Sequence, residues 1–337
     1  MKRVPKFAVL TLSAMLALSG CGMTSDPLPG TIGEDGQPAA VSTQDYVPAE
    51  VVKPKDGKKV KIGASFPLLD QFLQNVANSI KERAEAAGAE VSVTSAEEKI
   101  EIQLNQIENF IASGVDALIV LPQDTATTAQ ITQKAKAANI PLVYVNRRPS
   151  ELPKGVPYVG SDSLVAGQLE MEQLAKLSNH QGNVAILQGD PTQEAAQQRT
   201  QGCKEVAAKY NMNVVFDQTG LWMRDKGLAL AENLIQSGQQ VDVICANNDE
   251  MALGAINAFE NAGMLDKVVV GGVDATGDAL NAMAAGKLEV TVFQDAKGQG
   301  QASVDTAIKM VNGDEVPDVI NVPYQLVTPE NMSQFQQ

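Results

Sequence analysis

Polar and aromatic side chains that could bind a polyhydroxylated molecule recur where the apolar, β-branched runs of this 337-residue sequence end. Carboxylates, carboxamides and guanidinium groups can hold hydroxyls at several points, and aromatic faces can cover the C–H patches of a sugar ring. Such a set suits a sugar or another polyol. Its members are Asp70, Phe72, Asn146, Arg147, Arg199, Trp222, Asn248, Asp274 and Gln294.

Each candidate also has a purely structural alternative. Asp70, Asn248 and Asp274 follow strands, where Asp and Asn often only cap the next helix. The two aromatic candidates could belong to the core, and the two arginines could lie in solvent. The binding interpretation depends on the joint placement of these side chains at strand ends in both halves of the chain.

Short β-branched runs alternate with helical patterns from residue 60 onward. Ile100, Leu104, Ile107 and Ile111 are spaced by 4, 3 and 4, as on the buried face of a helix. The alternation predicts an α/β fold of parallel sheets with helices on both faces, and it excludes a helical bundle or a β-sandwich. The predicted strands cover residues 60–62, 90–93, 117–121, 141–145, 183–187, 212–216, 241–245, 267–270 and 288–293.

A weak internal repeat divides this α/β pattern into two. Residues 109–119 (NFIASGVDALI) resemble residues 233–244, with two residues inserted. Asp116 and Asp242 lie 126 positions apart, and Asn146 and Asp274, which each end a strand, lie 128 apart. Two similar doubly wound lobes are therefore expected. Because ligands of open parallel sheets bind beyond the carboxyl ends of the strands, two facing lobes would form a cleft lined by the strand-ending residues.

The first 58 residues are expected to lie outside the folded body. Lys2, Arg3 and Lys6 precede an apolar run of 12 residues, 7–18, which is typical of an export signal. The following Leu18-Ser19-Gly20-Cys21 resembles the lipobox of bacterial lipoprotein precursors, which implies cleavage before Cys21 and acylation of that residue. An ordinary signal peptide with a chance cysteine is the alternative. The Pro- and Gly-rich residues 21–58 are predicted to form a flexible tether.

Composition narrows the function classes. The 26 Lys+Arg and 40 Asp+Glu give a formal charge of −14, which argues against nucleic-acid binding. His180 is the only histidine, so HExxH zinc sites and any catalytic triad not built on His180 are excluded. Walker A, GxSxG and strand-linked GxGxxG motifs are also absent, so we expect no enzyme, no metal and no cofactor. A disulfide between Cys203 and Cys245 stays open, with two separate buried thiols favoured.

The body resembles the galactose/glucose-binding and ribose-binding proteins of bacterial ABC transporters, the type I periplasmic binding family, over residues 60–334. The resemblance implies two lobes joined by three crossovers, near 161–162, 294–295 and 322–323, that close on a sugar and deliver it to a membrane permease. It divides the chain into a signal peptide (1–20), the tether (21–58), an N-terminal lobe (59–161 and 296–321) and a C-terminal lobe (162–295 and 322–337). Its most specific stretches are 143–150 (VYVNRRPS), 158–163 (YVGSDS), 246–255 (ANNDEMALGA) and 272–274 (GVD).

The resemblance also implies roles for the cleft residues. Phe72 and Trp222 would stack on opposite faces of the sugar, and the polar candidates would bind its hydroxyls. Gln193 and Ala195 replace the His and Asp of the galactose proteins, which puts contacts to the anomeric and exocyclic hydroxyls in doubt, and Gln193 joins the candidate set. The calcium loop of those proteins is missing near His180, which is expected to be an exposed turn residue.

These features favour a lipid-anchored monosaccharide-binding protein in the cell membrane or outer membrane, facing the periplasm or exterior, monomeric, and preferring a galactose- or glucose-like hexose. Ribose, xylose or inositol is the alternative ligand, and sugar sensing with a membrane chemoreceptor is the alternative role. Lac-repressor-type regulators share the fold, but they need an N-terminal helix-turn-helix, which residues 1–58 do not supply.

Overall fold

The structure is a computed structural model that describes residues 42–125 and 128–335. The predicted signal peptide, the lipobox with Cys21 and the tether up to residue 41 lie outside the described residues. Within the described ranges, no helix combines the length and apolarity needed to cross a membrane.

The described residues form thirteen β-strands, nine α-helices and three short 3-10 turns, the latter at Lys55–Gly57, Leu265–Lys267 and Met332–Gln334. The strands are β1 (Thr43–Asp45), β2 (Lys61–Phe66), β3 (Glu90–Ser95), β4 (Ala117–Val120), β5 (Leu142–Val145), β6 (Tyr158–Gly160), β7 (Asn183–Gln188), β8 (Asn213–Thr219), β9 (Val243–Ala246), β10 (Val269–Gly271), β11 (Thr291–Phe293), β12 (Val319–Asn321) and β13 (Gln325–Val327). The helices are α1 (Gln71–Ala87), α2 (Ile100–Ala112), α3 (Thr128–Ala137), α4 (Ser163–Leu177), α5 (Glu194–Lys209), α6 (Arg224–Gln236), α7 (Asp249–Asn261), α8 (Gly277–Ala284) and α9 (Ala296–Val311).

Two parallel sheets build the two lobes. The N-terminal sheet has the strand order β1-β12-β6-β5-β4-β2-β3, and the C-terminal sheet has the order β10-β9-β7-β8. The antiparallel pair β11-β13 continues the second sheet, because parallel bridges join Gly271 to Val290 and Asp274 to Phe293. Apolar clusters cover both faces of each sheet, with α1 and α9 opposite α2 and α3 in the first lobe. In the second lobe, α6, α7 and α8 lie opposite α4 and α5. The expected doubly wound α/β fold is confirmed.

Three crossovers connect the lobes, as expected. The chain leaves the N-terminal sheet after β6 and enters α4 through residues 161–162, and it returns from β11 to α9 through residues 294–295. It crosses again between β12 and β13 through residues 322–324. Each crossover is two or three residues long, so a small change of backbone angles there could rotate one lobe against the other.

The internal repeat is visible as the same hydrogen bonds in both lobes. Asp116 Oδ2 accepts the backbone N–H of Lys61, at the start of β2, at 2.9 Å. Asp242 Oδ2 accepts the backbone N–H of Asn183, at the start of β7, at 2.7 Å. Each aspartate thus ties the strand that follows it to the neighbouring strand of its own sheet. The two lobes are built on one pattern.

The prediction of a flexible tether is wrong for its last part, residues 42–58. Strand β1 pairs in parallel with β12, adding the edge strand of the N-terminal sheet. Arg83 Nη2 then donates to the carbonyls of Ala49 and Glu50 at 3.1 and 3.0 Å, and Val51 and Val52 pack against the lobe's core. The Pro- and Gly-rich composition hides this segment, because its backbone pairs with an edge that the sequence does not reveal.

The favoured interpretation of the two body cysteines as separate thiols is also wrong. Cys203 of α5 and Cys245 of β9 form a disulfide between two fully buried positions. Glu170 lies beside them, and these three residues are the one group of potential metal ligands found among the described residues. The disulfide uses both sulfurs. It fixes α5 against the central strand of the C-terminal sheet.

Candidate functional site

One cavity between the lobes brings together all ten side chains that the sequence singled out. The space between its walls, including its opening to solvent, is about 400 Å³. Its walls also include Leu73 and Ala195. The predicted residues that line it are Asp70, Phe72, Asn146, Arg147, Gln193, Arg199, Trp222, Asn248, Asp274 and Gln294.

Two of the polar residues both cap a helix and line the cavity. Asp70 Oδ1 accepts the backbone N–H of Leu73 at 2.7 Å at the start of α1. Asn248 Oδ1 accepts the backbone N–H of Met251 at 3.1 Å at the start of α7, and its Nδ2 donates to the carbonyl of Trp222. The capping alternative is therefore correct for these residues, but it does not remove them from the site. Capping holds each side chain in one orientation.

Arg147 supplies a buried positive charge from the N-terminal lobe. Its Nη1 donates to the backbone carbonyls of Pro122 and Gln123, both at 3.3 Å. Burial lowers the pKa of Arg147 to about 10, although Asp70 nearby favours the charged form. Burial likewise raises the pKa of Asp70, against the opposing effects of the Leu73 N–H and Arg147. A ligand that donates to Asp70 and accepts from Arg147 would compensate both desolvation costs.

Arg199 is the corresponding positive charge of the C-terminal lobe. Its Nη1 donates to the carbonyl of Asn247 at 2.7 Å, and its Nη2 donates to Gln294 Oε1 at 2.5 Å and to the Tyr324 hydroxyl at 2.8 Å. Burial lowers the pKa of Arg199, but the neighbouring Tyr324 and Asp274 more than offset this, so the net shift is upward. The guanidinium is thus held charged and in a fixed plane.

Asp274 faces Arg199 across the cavity wall. Its Oδ1 lies 3.9 Å from Arg199 Nη1, and only 8% of the residue is exposed. Burial raises its pKa well above the usual range, and nearby Asp249 adds to this against the effect of Arg199. Asp274 and Asn146 have the positive φ angles 124° and 63°, so both members of this repeat pair end their strands in a strained conformation at the cavity.

The two aromatic candidates come from opposite lobes. Phe72, on α1, packs in the N-terminal core with 8% of its surface exposed at the cavity. Trp222, on the loop before α6, is partly buried, and its Nε1 donates to Gln193 Oε1 at 2.9 Å. Gln193 in turn donates to Asp190 Oδ2 at 3.2 Å. This chain of bonds sets the indole plane, so Trp222 forms a wall of the site.

Four buried polar side-chain atoms of the described residues lack a hydrogen-bond partner. Arg199 Nε is one; Gln123, Arg148 and Asn247, which follow the ends of β4, β5 and β9, supply the others. Buried polar groups without partners are costly. Of these four residues only Arg199 lines the cavity, so its Nε is an unpaired donor at the site.

Sequence reasoning did not identify every residue around the site. Tyr324 bonds to both Arg199 and Gln294, yet it lies in the third crossover, three residues after the end of a three-residue strand. Nothing in its local sequence indicates this position. Leu73 was missed because it also packs in the core of α1, whereas the position of Ala195 was noticed only as a departure from the galactose proteins.

The sequence matches the periplasmic binding protein domain family over residues 62–315. The chain belongs to this family. It is 41% identical over 284 residues to a protein of Rhizobium meliloti to which rhizopine binding is ascribed, covering 82% of this chain and 92% of the relative. It is 30% identical over 285 residues to the ribose import binding protein of Bacillus subtilis, covering 83% and 92%.

A solved solute-binding protein gives the structural counterpart. The ABC transporter solute-binding protein of Bacillus halodurans C-125, solved with bound myo-inositol, is 43% identical and superposes with a TM-score of 0.80, covering 84% of this chain and 99% of that chain. The protein is therefore a solute-binding protein of the ABC-importer type that works outside the cytoplasm, and it is not an enzyme.

Proposed function

We propose that the protein binds a cyclic polyol of the inositol type in the interlobe cavity and delivers it to an ABC permease. The observation that carries the proposal is the cavity itself. Two carboxylates, two guanidinium groups and four carboxamides line it, together with Phe72 and Trp222. The most similar proteins described above, associated with rhizopine and myo-inositol, support this class of ligand.

The departures from the galactose proteins favour a cyclitol over a hexose. Gln193 and Ala195 both line the cavity at the positions where those proteins place His and Asp. Without that His and Asp, contacts to an anomeric and an exocyclic hydroxyl are weaker. An inositol ring has neither group, since all its hydroxyls are on ring carbons, so it loses nothing by this change. The expected hexose preference is accordingly replaced by the alternative ligand class.

Ribose is the second candidate, favoured by one residue. Gln294, buried at 3% exposure in the cavity wall, stands where ribose binders carry Gln. The identity of 30% to a ribose import binding protein agrees with this.

Binding of a ligand panel tests the proposal. Isothermal titration with myo-inositol, ribose, xylose, galactose and glucose, with the emission of Trp222 as a second readout, should give the tightest binding for myo-inositol. We expect at least about a tenfold margin over galactose, which corresponds to about 1.4 kcal/mol. Tightest binding of galactose or glucose would restore the hexose interpretation, and binding of none of the five would overturn the polyol proposal.

We also propose that acylation of Cys21 anchors the monomeric protein to a membrane on the extracytoplasmic side, because two or more acyl chains suffice for stable anchoring. Full-length protein should incorporate labelled palmitate and sediment with membranes in its native host. Cys21→Ser should abolish both while leaving polyol binding unchanged. Equal palmitate labelling of the variant would contradict the proposal.

A further inference from the structure

The hydroxyl of Tyr324 lies outside the walls of the cavity but touches two side chains that form them. It donates to Gln294 Oε1 at 2.6 Å and accepts from Arg199 Nη2 at 2.8 Å. Arg199 Nη2 also donates to Gln294 Oε1 at 2.5 Å, which closes a triangle of three hydrogen bonds. The three groups come from three separate parts of the C-terminal lobe and its connections.

Two corners of this triangle lie on crossovers between the lobes. Gln294 belongs to the second crossover, 294–295, and Tyr324 belongs to the third, 322–324. The first crossover is connected to the cavity in a similar way, because Asn146 Nδ2 donates to Gln299 Oε1 at 3.1 Å and Gln299 Nε2 donates to Ser161 Oγ at 3.3 Å. The side chains of the cavity are thus bonded to all three connections about which the lobes must turn.

The bonds of Arg199 leave two of its five N–H groups without a hydrogen bond, the one on Nε and one on Nη1. Nη1 is engaged by the carbonyl of Asn247 and Nη2 by Gln294 and Tyr324, whereas Nε is buried without a partner. The guanidinium carbon also lies 5.7 Å from the centre of the Tyr324 ring and 5.6 Å from that of Trp222. The plane of the guanidinium, and hence the direction of Nε, depends on Tyr324.

We propose that Tyr324 is a positioning residue that orients Arg199 toward the ligand and couples ligand contact to closure of the lobes. This inference depends on the proposed function, since it concerns the same cavity. When the crossovers at 294–295 and 322–324 move together, the hydroxyl of Tyr324 keeps Gln294 and Arg199 in register. A bound ligand that accepts from Arg199 then stabilises the closed arrangement through contacts made only there.

The variant Tyr324→Phe tests this role, because it keeps the aromatic ring and removes only the hydroxyl. We expect the Kd for the best-bound polyol to rise about tenfold, mainly through faster dissociation measured by stopped flow. Tyr210→Phe is the matched control. Its hydroxyl donates to Glu172 Oε2 of α4 at 2.8 Å, at the C-terminal end of α5 and outside the cavity lining, so its loss should leave Kd unchanged.

A double-mutant cycle separates positioning from general destabilisation. In an Arg199→Lys background the further change Tyr324→Phe should have less than about a twofold effect on Kd, because the guanidinium that Tyr324 orients is gone. An effect of Tyr324→Phe that is the same in both backgrounds, or a Kd for the single variant within about twofold of the wild type, would overturn the proposal.

The fluorescence of the ligand-free protein tests the role of Tyr324 separately from the proposed function. Trp222 is the only tryptophan of the chain and lies next to Arg199, so Tyr324→Phe should shift the emission maximum of the ligand-free protein while Tyr210→Phe does not. If the wild type binds no polyol, the proposed function fails whatever the emission shows. If the wild type binds but neither emission nor Kd responds to Tyr324→Phe, only the positioning role fails.

Discussion

At the residue scale, Asp274 is a buried carboxylate beside the positive charge of Arg199. Replacing it should weaken ligand binding without lowering the stability of the fold. Asp274→Ala takes away an acceptor for ligand hydroxyls and the partner of Arg199, and we expect the affinity to fall by about 2–4 kcal/mol, roughly 30- to 1,000-fold. The melting temperature at pH 8 should not fall, because the variant also removes a carboxyl whose pKa burial raises. Titration calorimetry and thermal unfolding measure the two effects.

The control for this prediction is Asp278→Ala on helix α8. Asp278 pairs with Arg224 at 2.7 Å outside the cavity, so its loss should change affinity by less than about twofold. A Kd within about threefold of the wild type for Asp274→Ala, or equal losses for the two variants, would show that Asp274 does not bind the ligand.

Much of the site could be predicted from the sequence, because a parallel sheet brings the residues that follow its strands together at one edge. Asp70, Asn146 and Asp274 are far apart in the chain, but each follows a strand of a sheet whose carboxyl ends share one edge. Tyr324 could not be found in this way. It lies in the connection that crosses between the lobes, and its contacts depend on the relative position of the lobes, which no local pattern records.

At the scale of elements, the loop after β7 is shaped around Trp222. A Cβ added at Gly189 would lie 2.1 Å from Cζ2 of the indole, a distance that forces the ring to move. Gly189→Ala should therefore weaken ligand binding about tenfold or more and shift the emission of Trp222. Trp222 itself has a positive φ of 69°, so its own loop, between β8 and α6, has little freedom to accommodate the change.

Gly277→Ala, at the first position of α8, is the matched control, because its added methyl group would meet open space. It should leave Kd and emission unchanged. Wild-type affinity in Gly189→Ala would mean that the indole position does not matter for the ligand.

The disulfide sets the attachment of α5 to the C-terminal sheet. Its two cysteines are 42 residues apart, and closing a loop of that length is worth about 3–4 kcal/mol in the chain-entropy account. The double variant Cys203→Ala/Cys245→Ala should therefore melt at a lower temperature than the wild type, and a reducing agent should lower the melting temperature of the wild type alone. Two reactive thiols in the denatured, unreduced Cys21→Ser protein would show that the bridge does not form.

The elements that sequence analysis missed are short. Nine strands were indicated by β-branched runs, but β1, β6, β12 and β13 have only three residues each, too few to show a period. The equally short β10 and β11 were predicted because they overlap the longer runs 267–270 and 288–293. Three of the four missed strands build or flank the edge of the N-terminal sheet, and β1 lies in a segment whose prolines and glycines point to a tether. Their pairing is decided by tertiary contacts, not by local propensity.

At the scale of the whole molecule, the lobes meet around the cleft in a region rich in buried acids. Thr125 Oγ1 of the N-terminal lobe donates to the carbonyl of Thr192 of the C-terminal lobe at 3.0 Å. Two residues further, Glu194 faces Arg148, Asp162 and Arg199, and burial raises its pKa to about 7. Burial also raises the pKa of Asp249, beneath the cavity, to about 7. Charging these groups disfavours the folded, closed molecule.

The sign of the pH dependence follows from these shifts. A carboxyl whose pKa is higher in the folded than in the unfolded chain contributes stability below its unfolded value, near 4.5 for Glu194, and loses it as the pH rises through about 7. The ligand-free protein should therefore melt at a higher temperature at pH 5.5 than at pH 8, by about 3–5 °C. Differential scanning calorimetry at fixed ionic strength measures this difference.

The variant Glu194→Gln measures how much of the pH dependence of the melting temperature comes from Glu194. The neutral side chain should raise the melting temperature at pH 8 and reduce the difference between the two pH values. Glu205→Gln, on the exposed face of the same helix, should leave the difference as it is in the wild type. If the two variants have the same pH dependence, the charge of Glu194 does not limit stability, and the other two acids with raised pKa, Asp274 in the cavity wall and the buried Asp249, must account for it.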